Sequence, residues 1–191
     1  MMIIMGKKPA EIQSLWTIGH STRAIEEFIA LLESREIRGL ADVRRFPASR
    51  RHPQFGQEAL AKSLAQAGIE YLHFPELGGR REPRPDSPNT AWRHKAFRGY
   101  ADYMMTDPFQ TGMERLLELA KGKRTAVMCA EALWWQCHRG LIADYLKARG
   151  ARVVHILGPK KTEEHPFTSA ARMVEGRLSY SSAGSELEFT F

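Results

Sequence analysis

Cysteine is scarce: the 191 residues hold two, Cys129 and Cys137. Two thiols exclude a disulfide scaffold and suit a reducing compartment, where cysteines serve chemistry, metal binding or packing. Long apolar runs are missing as well. Nowhere do about 18 apolar residues follow one another, which excludes a transmembrane helix. The apolar stretch Met1–Gly6 is far shorter than the h-region of a secretory signal. The sequence therefore points to the cytosol, with no membrane as partner. It has no internal repeat, no low-complexity segment and no C-x-x-C pair, so solenoids, disordered arrays and the common zinc ribbons drop out.

What is present is a chain able to build a core, with 43% hydrophobic residues. At this length one domain over residues 1–191 is expected, with a core from 15 to 156 and a C-terminal extension from 157 to 191. Lys and Arg number 28 against 22 for Asp and Glu, a formal net charge of +6. Such a field attracts phosphate, nucleic acid or another anion.

Along the chain, short apolar runs alternate with helical spacing. Leu15-Trp16-Thr17-Ile18 reads as a buried strand, followed by a turn at Gly19-His20-Ser21-Thr22 into a helix capped by Ser21 or Thr22, with the stripe Ile25, Phe28, Ile29 and Leu32. Gly39 to Val43 is a second strand, and the proline- and arginine-rich stretch 44–53 a loop. A helix from about Gln57 to Gln66 stops at Gly68, and Ile69 to Leu72 is a third strand. Pro75 to Pro88 carries four prolines and Gly78-Gly79, which excludes regular structure and suggests a mobile or ligand-ordered segment. Helical spacing returns at Phe97, Tyr100, Ala101 and Met104, then from Asp107-Pro108 to about Ala120. Thr125 to Cys129 is a fourth strand, Leu141 to Leu146 marks a helix closed by Gly150, and Arg152 to Ile156 is a fifth strand. The tail from Pro166 reads as a short helix and a small hairpin around Ala183-Gly184. The fold expected is α/β: a mostly parallel sheet of about five strands, flanked by helices, with a small C-terminal hairpin.

In a parallel sheet the segments leaving the strands share one edge, which is where ligands bind. That edge would gather Gly19, His20, Ser21 and Thr22, then Asp42 and Arg44, then Cys129, Glu131, Cys137, His138 and Arg139. Cys137 at a helix start, with free N–H groups and Arg139 beside it, is a candidate nucleophile; Cys129, ending an apolar strand, suits packing better. Glu131, His20 and His138 are candidates for proton transfer, or for a salt bridge and a turn-capping hydrogen bond. Arg44 with Arg50 could fork onto an anion, the alternative being an Asp42–Arg44 ion pair that pins the loop. Ser49 belongs to the same loop, and Gly78-Gly79-Arg80 could bring backbone close to an anion. Zinc on Cys129, Cys137, His138 and His20 is conceivable, but adjacent Cys-His rarely point at one ion, so no metal and no other cofactor is assigned. A regulatory disulfide between the two thiols is permitted by their nearness. Trp134 and Trp135 could stack on a base, or pack the loop down.

Taken together, Thr17-Ile18-Gly19-His20-Ser21, Asp42-Val43-Arg44 with Pro47 and Ser49-Arg50, Leu77-Gly78-Gly79, and Cys129-Ala130-Glu131 with Cys137-His138-Arg139 resemble the domain-of-unknown-function family 488. The resemblance spans about Leu15 to Ile156 and implies an α/β fold without an established reaction; some members are labelled as DNA repair proteins. A more distant similarity is to rhodanese-like domains, by which Asp42-Val43-Arg44 and Cys129 would align, although seven residues separate the two cysteines here.

Three functions fit. The first is a cysteine-dependent enzyme acting on an anionic or sulfur-bearing small substrate, with Arg44, Arg50 and Arg139 on the anion. The second is a nucleic-acid-binding or DNA repair accessory protein using Arg44, Arg45, Arg50, Arg51, Arg80, Arg81, Arg84, Arg93, Lys95 and Arg98 on phosphates. The third binds a nucleotide or phosphorylated metabolite without catalysis, cradled by Ser21, Thr22 and helix N–H groups. Oligomeric state is not legible.

Overall fold

The structure, a computed structural model, describes residues 14–48 and 51–182. A six-stranded sheet organises it. In chain order its strands are β1 (Leu15–Gly19), β2 (Gly39–Asp42), β3 (Glu70–His73), β4 (Thr125–Cys129), β5 (Val153–Gly158) and β6 (Lys161–Glu164). Their order across the sheet is β3-β2-β4-β1-β5-β6, all parallel except β6, which runs antiparallel to β5. The sixth strand is an addition to the expected five, and its charged sequence Lys161-Thr162-Glu163-Glu164 hides it from any reading based on apolar runs.

Helices cover both faces. On one lie α1 (Ile25–Glu33) and α2 (Gln57–Gln66), which bury Phe28, Leu31, Leu32, Leu60 and Leu64 against Ile18, Leu40, Ala126, Met128 and Ile156. On the other lie α3 (Lys95–Tyr103), α4 (Asp107–Gly122) and α5 (Arg139–Ala148), packed over Leu15, Ala41, Val43, Val127 and Val153. Each such buried Leu or Phe contributes roughly 1.5–3 kcal/mol relative to an exposed one. The α1 stripe is rotated slightly from expectation: Leu31 is buried, while Ile25 and Ile29 are only partly so. Nor do Ser21 or Thr22 cap α1, which begins at Ile25 after Ala24 with no side-chain cap. No described helix is long and apolar enough to cross a membrane.

The segment after Pro75 has only a short 3-10 turn, Pro75–Leu77, before α3. It is held rather than loose: Asp102 accepts hydrogen bonds from the Arg84 backbone N–H (2.8 Å), Ser87 Oγ (2.6 Å) and Asn89 Nδ2 (2.7 Å). Beyond β6 no helix forms among the described residues; the C-terminal hairpin is β7 (Arg172–Val174) with β8 (Arg177–Ser179). Ala183-Gly184 lies outside the described residues.

Strand order also locates a crevice. From β2 the chain turns to the α2 face, whereas from the adjacent β4 it turns to the α5 face. Connections that diverge from neighbouring parallel strands leave a cleft at their carboxyl ends.

Candidate functional site

That cleft is a cavity of about 620 Å³. Its walls are Arg44, Arg45 and Phe46 after β2, Gly79 and Arg80, His94 to Phe97 at the start of α3, and the turn from Cys129 through Glu131 to His138. Register brings the contributing ends level: Gly19 pairs with Cys129 and Asp42 with Met128. Backbone bonds continue the ladder past the strands, from the His20 N–H to the Cys129 carbonyl (3.0 Å) and from the Val43 N–H to the Met128 carbonyl (3.0 Å).

The two thiols lie together at the cavity floor, with Sγ atoms 2.8 Å apart and no disulfide between them. Burial pushes the Cys137 thiol up, but the Cys129 S–H, the Arg139 charge and the Arg139 backbone N–H (3.5 Å from Sγ) outweigh it and hold Cys137 below its usual range. Cys129 moves the other way, raised by burial and by its neighbour. Thus one thiol is disposed to ionise and the other to stay protonated.

His138 stands beside Cys137 with Nδ1 3.4 Å from Sγ, while its Nε2 lies 3.1 Å from the Val43 carbonyl. A carbonyl only accepts, so Nε2 carries the proton and the Nδ1 lone pair faces the thiol. Burial, the largest influence, lowers the His138 pKa and keeps the ring neutral. A Cβ on Gly79 would lie 2.7 Å from His138 Nδ1, and one on Gly78 would lie 2.9 Å from the Arg45 Cα. The room left by this glycine pair is taken by His138 and Arg45 on those sides. Gly19 likewise makes way for the Glu131 carbonyl, 1.8 Å from where its Cβ would be.

Arg139 is 1% exposed. Its Nη2 donates to the carbonyls of Glu131 and Ala132, both at 3.0 Å, while Nε and Nη1 have no hydrogen-bond partner among the described residues. A buried guanidinium without a carboxylate is costly. After the hydrogen bond with Cys129, its field is the next influence that favours the neighbouring thiolate.

Other sequence candidates are already committed elsewhere. Arg44 lines the cavity but is engaged within the protein. Its Nε and Nη2 grip the fully buried Asp42 at 2.9 and 2.5 Å, and its Nη1 donates to the Phe55 carbonyl at 2.9 Å. Tyr71 donates to the same carboxylate at 2.7 Å. The ion pair that pins the loop is the arrangement found. His20 lies off the cavity wall, stacked on Phe55 at 4.3 Å with Nδ1 donating to the Ser21 carbonyl at 2.9 Å. Burial and then the Arg44 charge lower its pKa to about 4. Ser21 and Thr22 do not line the cavity. Ser49 and Arg50 lie outside the described residues. Trp134 is buried, stacked on His155 at 4.6 Å, whereas Trp135 is 48% exposed at the cavity rim. Among the described residues, no three His, Cys, Asp or Glu side chains cluster as metal ligands.

The family described as Domain of unknown function DUF488 matches residues 24–146. The chain belongs to this family. The matched DUF488 span includes both thiols, His138, Arg139 and the Asp42–Arg44 pair, while Gly19 and His20 precede it. No curated protein and no solved structure matches the chain, so the rhodanese-like similarity finds no counterpart there.

One cluster escaped sequence reading altogether. Thr17 Oγ1 lies 2.6 Å from His155 Nδ1, His155 Nε2 lies 2.9 Å from His165 Nδ1, and His165 Nε2 lies 2.9 Å from Asp144. Asp144 also accepts from the Thr168 N–H (2.8 Å), the Thr168 hydroxyl (2.6 Å) and the Tyr180 hydroxyl (2.9 Å). The carboxylate only accepts, so His165 Nε2 donates to Asp144; with His165 Nδ1 accepting from His155 Nε2, Thr17 donates at the far end. Two signals were available: His155 interrupts an apolar strand, and Asp144 sits among Leu141, Ile142, Tyr145 and Leu146 on one helix. The cavity-lining His94, Ala96, Phe97 and Gln136 gave no comparable signal.

Proposed function

We propose that this DUF488 protein is a cysteine-dependent enzyme whose Cys137 thiolate attacks an anionic or sulfur-bearing small substrate in the cavity. The observation that carries this reading is a thiol at the cavity floor between the Arg139 backbone N–H and the Cys129 sulfur, beside a buried guanidinium that makes no salt bridge among the described residues. The neutral His138 offers Nδ1 to take the thiol proton. Arg45 and Arg80 supply positive charge at the wall, and Glu131, exposed on the same wall, is available for proton transfer to a leaving group. A reducing, cytosolic setting would keep both thiols free.

Iodoacetamide labelling followed by peptide mass spectrometry across pH tests this directly. Cys137 is expected to label faster than a free thiol near neutral pH and Cys129 to lag far behind. If neither outpaces a free thiol, the nucleophile reading fails.

One observation favours a second reading, nucleic-acid binding. Phe46, 68% exposed, and Trp135 flank the cavity beside Arg45 and Arg80, a combination suited to stacking a base and holding phosphate. Absence of binding to single-stranded DNA or RNA at ~50 mM salt would eliminate it.

A further inference from the structure

The reading above uses one thiol, yet the cavity floor holds two. Cys129 ends its strand with Sγ 3.7 Å from the Glu131 carbonyl of the turn that follows. Its sulfur instead lies 2.8 Å from the Cys137 sulfur, and both residues line the cavity. A disulfide needs about 2.05 Å, so a side-chain movement of under about 1 Å would join them. The two also differ in character: Cys137 is lowered toward the thiolate and Cys129 raised toward the thiol. An attacking thiolate beside a protonated partner is the arrangement two-step thiol–disulfide exchange requires.

We infer that Cys129 is the resolving thiol for Cys137, and that the pair reduces small acidic disulfides admitted to the cavity. The inference rests on Cys137 being the nucleophile. In the first step the Cys137 thiolate attacks one sulfur of R–S–S–R, forming Cys137–S–S–R and releasing RS⁻. In the second, with His138 still holding the proton taken from Cys137, Cys129 gives its own proton to the released RS⁻ and attacks Cys137 Sγ. The mixed disulfide breaks, the second RS⁻ leaves, and a Cys129–Cys137 disulfide remains. Two electrons pass from the protein pair to the substrate. A cellular thiol reductant returns them by reversing the exchange on the protein disulfide. Substrate acidity follows from the wall, where Arg45 and Arg80 face a single carboxylate, Glu131.

The test uses the full reduced chain with glutathione disulfide as the acidic probe and cystamine as its cationic counterpart, read by intact mass after trapping free thiols. The wild type is expected to lose both thiols, retain no adduct and release two glutathiones per chain. Cys129→Ser is expected to stop as a lasting glutathione adduct on Cys137, and Cys137→Ser to do neither; Cys129→Ala substitutes if the buried hydroxyl disturbs folding. Cystamine is expected to react at least about tenfold more slowly. A lasting adduct on the wild type, or a Cys129 variant that releases both thiols like the wild type, overturns the resolving role while leaving Cys137 as nucleophile. Equal or faster reaction with cystamine overturns the acidic substrate class. No exchange by a chain whose Cys137 still labels rapidly with iodoacetamide overturns the disulfide chemistry; loss of both reactions overturns the nucleophile itself.

Discussion

The Asp144 cluster and the Cys137 turn are both buried and polar, both packed on the α5 face of the sheet, yet their hydrogen bonds are completed to different degrees. Around Asp144 each donor meets an acceptor, from Thr17 through two histidines to the carboxylate, with Thr168 and Tyr180 filling the remaining positions. Around Cys137 the guanidinium of Arg139 keeps two nitrogens without partners, and a thiol meets the lone pair of a neutral imidazole. A closed network fastens β1, β5 and α5 to the C-terminal segment. The incomplete one leaves a buried charge without a carboxylate beside the cavity, which costs stability. The Asp42–Arg44 pair, with Tyr71 added to it, belongs with the closed kind, although Arg44 also lines the cavity.

The contrast is broken most severely by Asp144→Ala. It strands the His165 N–H, the Thr168 donors and the Tyr180 hydroxyl in the core, so a loss of about 3–5 kcal/mol is expected in urea unfolding. If the variant remains folded, the Cys137 labelling rate should be unchanged, which separates the two clusters.

Acidification probes the closed kind next. The unfolded chain protonates His20 near pH 6.5, whereas the folded ring resists until about pH 4. Stability present above pH 6.5 is therefore lost as pH falls toward 4, by up to about 3 kcal/mol from this residue. His155 and His138, also lowered by burial, act in the same direction. Thermal melts across this window should flatten in His20→Gln; an unchanged slope would remove His20 from the account.

Gly79→Ala sharpens the comparison from the open side. A methyl 2.7 Å from His138 Nδ1 must displace the ring, at a cost of about 1–3 kcal/mol, and labelling of Cys137 should slow with it. The smallest stability effect is expected for Arg139→Met. It removes a buried, uncompensated charge while giving up two bonds to carbonyls, so stability should stay within about 1 kcal/mol of the wild type. The pH midpoint of Cys137 alkylation should nevertheless move upward, because the cation that favours the thiolate is gone.

Much of the scaffold was legible in the sequence. Apolar runs bounded by turn residues marked β1 to β5 within a residue or two, and helical spacing marked α2, α4 and α5. The polar residues that follow β1, β2 and β4 do meet at one sheet edge, as expected of parallel strands. Strand β6 was obscured because its residues are largely exposed and polar, so no periodicity betrays it, whereas the small C-terminal hairpin was expected and is present as β7–β8. The histidine pair at 155 and 165 was invisible because hydrogen-bond partners ten or more residues apart leave no local pattern.

By itself the sequence determined which segments extend and which coil, and that thiols, arginines and histidines would follow the strands. These follow from side-chain periodicity and turn chemistry, which act between near neighbours. Only the tertiary structure decided that β4 lies between β2 and β1, that Arg44 is matched by Asp42 while Arg139 is left unmatched, and that the two sulfurs touch. The Asp42–Arg44 pair was one of two local alternatives, but strand order and the surroundings of Arg139 and the two sulfurs depend on packing between residues far apart in the chain, and no local pattern encodes them.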